Sequence, residues 1–72
     1  MTYRDLFGVA GKHRGTTEKI KALAQLIYRN AFDGVETKSE AVWDALERYE
    51  DMTGRFFDPT QDQFDSIEAS II

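Results

Sequence analysis

The chain has no cysteine, one histidine and one proline in 72 residues. Without thiols it forms neither disulfides nor thiolate metal sites, and a single histidine excludes a histidine-rich zinc site. Absence of cysteine fits a reducing compartment. No apolar run approaches the roughly 20 residues that span a bilayer, and the N-terminus lacks a signal-peptide apolar region. Repeats and low-complexity tracts are also missing. These absences lead to the expectation of one cytoplasmic domain, residues 1–72, with no metal, no cofactor and no membrane partner.

A chain this short buries only about 60–65% of its unfolded surface, so its core is marginal. Small folds are commonly reinforced by disulfides, metals or a second subunit. With the first two removed, oligomerisation remains, and a homodimer or a larger partner complex is expected.

What the chain does have is charge, unevenly placed. Residues 1–32 hold six Lys/Arg against two acids, a balance of +4. Residues 33–72 hold three against eleven, a balance of −8. Net charge speaks to partners and solubility more than to fold.

Hydrophobic periodicity predicts an amphipathic helix over Thr17 to Ala31, capped by Thr16 or Thr17. Ile20, Leu23, Ala24, Ile27 and Ala31 form its apolar stripe, and Asp33-Gly34 breaks it. A second helix begins at Thr37-Lys38-Ser39-Glu40. This is a capping box, in which the Thr hydroxyl accepts the N3 amide and the Glu reaches back to the cap amide. It runs to about Thr53, with Gly54 free to take the left-handed conformation that ends helices. Ala41, Val42, Ala45, Leu46, Tyr49 and Met52 share one side; Trp43 and Glu50 lie at its border. Thr2-x-x-Asp5 caps a short N-terminal helix through Tyr3, Leu6, Phe7 and Ala10, ended by Gly11. Asp58-Pro59 is the expected N-terminus of a last helix carrying Phe64, Ile67 and Ile71, and Phe56 and Phe57 are expected to close the core. The short Phe32–Glu36 connection makes the two main helices antiparallel neighbours. The expected fold is therefore all-α: a small antiparallel helical hairpin with short flanking N- and C-terminal helices.

No catalytic constellation emerges. Gly8-Val9-Ala10-Gly11-Lys12 lacks the four-residue spacing, the hydroxyl and the preceding strand of a phosphate loop. His13 stands between Lys12 and Arg14 with no acid or nucleophile placed beside it by sequence. Asp58, Asp62 and Asp65 have neither the spacing nor the glycine of a calcium loop. The expectation is a protein that is not an enzyme.

Glu40, Asp44, Glu47 and Asp51 climb one helix face, rising about 4.5–6 Å between successive members. Like charges at i, i+4 cost about 0.2–0.5 kcal/mol per pair, and Glu40–Asp44 and Glu47–Asp51 both bear that cost. The stripe reads in three ways: a solvated face, a surface that meets the basic half of this chain or of a dimer mate, or a row of anions for a basic partner. Evenly spaced carboxylates imitate a phosphate backbone, a device suited to an inhibitor or regulator of nucleic-acid machinery. The leading expectation is a protein-binding module that presents Glu40, Asp44, Glu47 and Asp51 to a basic, nucleic-acid-handling protein, with Trp43 as an interface anchor.

Gly34-Val35-Glu36-Thr37-Lys38-Ser39-Glu40-Ala41-Val42, continuing to Ala45-Leu46 and Tyr49, resembles the second helix of ribbon-helix-helix DNA-binding proteins. The resemblance covers residues 17–54. It implies a dimeric DNA-binding regulator or antitoxin with an acidic partner-binding tail over Phe56 to Ile72. It further implies that Lys12 and Arg14, on a strand over residues 9–15, read DNA while Thr37, Lys38 and Ser39 grip a phosphate. That segment has two glycines and one β-branched residue, a poor composition for a strand.

Overall fold

The architecture comes from a computed structural model that describes Arg4, Asp5, Gly8 and residues 14–72. Of the expected N-terminal helix over residues 2–11, Arg4, Asp5 and Gly8 are described and are helical; its other residues, the rest of the Gly8–Lys12 segment, His13 and most of the expected strand over 9–15 lie outside the described residues. Three α-helices follow: α1 (Thr16–Arg29), α2 (Lys38–Thr53) and α3 (Gln61–Ala69), with a 3-10 turn at Phe32–Gly34. Among the described residues there is no strand, and the fold is all-α.

Helix α1 buries Ile20, Leu23, Ala24 and Ile27 of the predicted stripe, while Ala31 lies beyond the helix and is exposed. Neither Thr16 nor Thr17 caps it. The N-cap is Gly15, with φ 77 and ψ 150 and no side-chain cap bond. That backbone region is essentially closed to residues with a Cβ, so the chain enters the helix through glycine. Thr16 is then free to turn its hydroxyl towards Tyr49, whose hydroxyl donates to it at 3.4 Å. This contact joins the start of α1 to the end of α2 and fixes the two helices as antiparallel.

The helix stops two residues earlier than the periodicity predicts. Asn30 is the C-cap and its side-chain amide donates to the Leu26 carbonyl at 2.8 Å. Ala31 leaves the helix in the left-handed region (φ 48) and Asp33 follows it there (φ 57). Asp33-Gly34 therefore forms the turn after the helix, and the break itself falls at Asn30–Ala31.

Helix α2 starts on Thr37, whose hydroxyl accepts the Glu40 amide at 3.2 Å. The reciprocal half of the expected box differs: the Glu40 carboxylate accepts from the Thr37 hydroxyl at 2.9 Å. Gly54 ends the helix at φ 71, as its position after Thr53 requires. Ala41, Val42, Ala45, Leu46 and Tyr49 are buried.

Helix α3 begins later than Asp58-Pro59 predicts. Thr60 is the N-cap and forms a full capping box with Gln63: its hydroxyl accepts the Gln63 amide at 3.2 Å, and its own amide donates to the Gln63 side chain at 2.9 Å. Two amides satisfied together outweigh the single acceptor that Asp58 offers. Ile67 and Ile71 drive α3 into the groove between α1 and α2, completing one core with Ile20, Leu23, Ile27 and Val42. Phe57 packs against this core, but Phe56 does not close it and stays 74% exposed. The two are consecutive in an irregular connection, and only Phe57 turns inward.

Candidate protein-binding face

The four carboxylates of the acidic stripe project from α2 but are not equivalent. Glu40, Glu47 and Asp51 are exposed. Asp44 is not: only 14% of its side chain meets solvent. Asp33, brought over by the turn after α1, lies against it. Arg48 stands among three carboxylates, with Nη2 3.2 Å from Asp33 Oδ2, Nη1 3.5 Å from Asp51 Oδ2 and Nε 3.9 Å from Asp44 Oδ1. The stripe thus has a neutralised flank, where Arg48 gathers Asp33, Asp44 and Asp51, and an open flank at Glu40 and Glu47.

Burial raises the Asp44 carboxyl from 3.8 to about 6, with the neighbouring Asp33 charge adding to it. Arg48 opposes the rise, while a hydrogen bond to Asp33 and the charge of Glu47 support it. Asp44 therefore keeps its proton to mildly acidic pH, and the anion count of this face depends on pH.

On the open flank sits Trp43, 63% exposed. Its ring lies 5.1 Å from that of Phe64 on α3, tilted by 49°. This arrangement is favourable between aromatic quadrupoles. Trp43 divides two adjoining hollows. The larger, about 250 Å³, lies towards Leu46, Phe56 and Phe57 and is bounded by Glu47, Glu50 and Asp58. The smaller, about 190 Å³, lies towards Phe64 and Ser39. Asp58 and Pro59 line both. No Lys or Arg lines either hollow among the described residues.

The groove is not legible in the sequence, where Trp43 reads as a border residue and interface anchor and both phenylalanines as core. The available signal was the pair Phe56-Phe57 followed by Asp58-Pro59.

The residues assigned to nucleic acid by the ribbon-helix-helix resemblance are scattered. Lys12 lies outside the described residues. Arg14 is exposed in the bend before α1, and Lys38 is exposed at the start of α2. The Thr37 hydroxyl is engaged by Glu40, and Ser39 lines the hollow beside Trp43. A carboxylate thus already occupies the N-terminus of α2, where a phosphate is expected.

Among the described residues no three His, Cys, Asp or Glu side chains are grouped to hold a metal ion. None of the described helices is long and apolar enough to cross a membrane. No family model, curated protein or solved structure matches the chain.

Proposed function

We propose that this protein is a non-enzymatic binding module that presents the outer face of α2 to a basic, nucleic-acid-handling protein and inhibits or regulates it. The observation that carries the reading is the exposure of Glu40, Glu47 and Asp51 on one helix face beside an exposed Trp43. Exposed carboxylates supply a field that steers a cationic surface inward, and an exposed aromatic supplies the short-range contact that retains it. Asp44 has a different part from the one its spacing implies, since it is largely buried in the Asp33–Arg48 cluster, whereas Asp51 pairs with Arg48 and stays exposed.

Affinity capture from the native host at low salt, followed by identification of the retained protein, tests this. The expected result is a basic protein that handles nucleic acid and elutes with rising salt. Retention of acidic proteins alone, or of none, contradicts it.

A second reading is a dimeric DNA-binding regulator of ribbon-helix-helix type. It draws on the α1–α2 hairpin and on Lys38 exposed beside the α2 N-terminus. The engagement of Thr37 by Glu40 weighs against it. Its acidic tail would also have to leave the core in which Ile67 and Ile71 are buried. A gel shift on mixed duplex DNA separates the two readings. Salt-dependent binding through Lys12, Arg14 and Lys38 favours the regulator, and no shift at low salt rejects it.

A further inference from the structure

The groove around Trp43 has a definite chemistry. Its floor is aromatic and apolar, from Trp43, Phe56, Phe57 and Phe64, and it continues across Pro59. Its rim is anionic: Glu47 and Glu50 come from α2, and Asp58 from the connection that faces them. A contiguous apolar patch with a polar rim marks an interaction site on a small soluble domain. The anionic rim selects cations and repels the phosphates of a nucleic acid.

The indole packs on Phe64 and lines both hollows, each large enough to take up an apolar side chain. Asp58 borders both and faces whatever joins the two inserted groups.

We propose that this groove receives a short basic segment of a partner protein carrying two bulky apolar side chains, one seated on each side of Trp43, with a Lys or Arg between or beside them paired to Asp58. The proposal rests on the acidic-face reading for the sign of the partner's charge and adds a sequence requirement to it. An acidic helix alone binds any cationic surface. The groove demands a cationic segment with two apolar anchors.

Trp43 is the chain's only tryptophan, so its emission reports directly on the groove. The test titrates the full chain with synthetic lysine-rich peptides that contain two phenylalanines one to four residues apart. Controls replace both phenylalanines by serine, or the lysines by glutamate. The expected result is a saturable blue shift with at least one phenylalanine spacing. Binding should weaken at least about tenfold in the serine control, and as much in Phe56→Ser and Asp58→Lys, which alter exposed side chains and leave the fold intact. Binding of the serine control as tight as that of its parent overturns the groove while leaving the acidic face standing. Absence of any shift across the series overturns it as well. A blue shift that grows with protein concentration and no peptide assigns the groove to a second copy of this chain and overturns the proposal.

Discussion

At Asp44, burial and a neighbouring carboxylate act in the same direction. The folded carboxyl holds its proton to about pH 6, whereas the unfolded one releases it near 3.8. Between those values the folded state binds more protons than the unfolded state, so stability falls as pH rises through the window and stays lower above it. Asp44→Asn removes that penalty on the order of 2 kcal/mol near neutrality. Urea unfolding at a series of pH values is expected to show the variant gaining on the parent from pH 4 to about 6.5 and then holding a constant lead. Ala31 is a second local site. It sits in the left-handed region where a Cβ costs about 1–2 kcal/mol, and part of that is recovered when glycine's greater unfolded freedom is counted. Ala31→Gly is expected to stabilise by roughly 1 kcal/mol, a rise of about 4–8 °C in the thermal midpoint of a domain this size.

Among the elements, α3 gives the sharpest comparison of local signals. Its start carries two competing caps within three residues, Asp58-Pro59 and Thr60-x-x-Gln63, and only the second is made. Thr60→Ala is therefore expected to cost about 1 kcal/mol in denaturant unfolding, while Asp58→Ala stays within about 0.5 kcal/mol of the parent. Equal losses would show that both caps act. Helices α1 and α2 were legible because their apolar stripes run for several turns and because Thr37 and Gly54 punctuate α2 at both ends. The boundary errors arose where two local signals compete: backbone conformation decides at Gly15-Thr16, and hydrogen-bond geometry at Asp58–Thr60. The acidic arc was legible from helical spacing alone. Its division into a neutralised and an open flank was not, because Asp33 arrives from a turn that sequence spacing does not orient. The groove depended on the same kind of tertiary placement: Phe64 reaches Trp43 only once Ile67 and Ile71 have docked α3.

Across the whole molecule, the charge asymmetry of the sequence becomes an asymmetry of surfaces. Among the described residues the buried set is hydrophobic, with no buried charged residue. The anions have been displaced outward, and on α2 they flank an aromatic groove. Acidic face and aromatic groove are adjacent because both are built on α2, through Glu40, Glu47 and Asp51 on one side and Trp43 between them and α3. The most direct measurement replaces Glu40, Glu47 and Asp51 by lysine together and quantifies capture of the host partner at low salt, with the helical circular dichroism signal checked in parallel. The acidic-face reading predicts loss of capture with the helical signal unchanged. Undiminished capture of the same partner by the folded triple variant would contradict it.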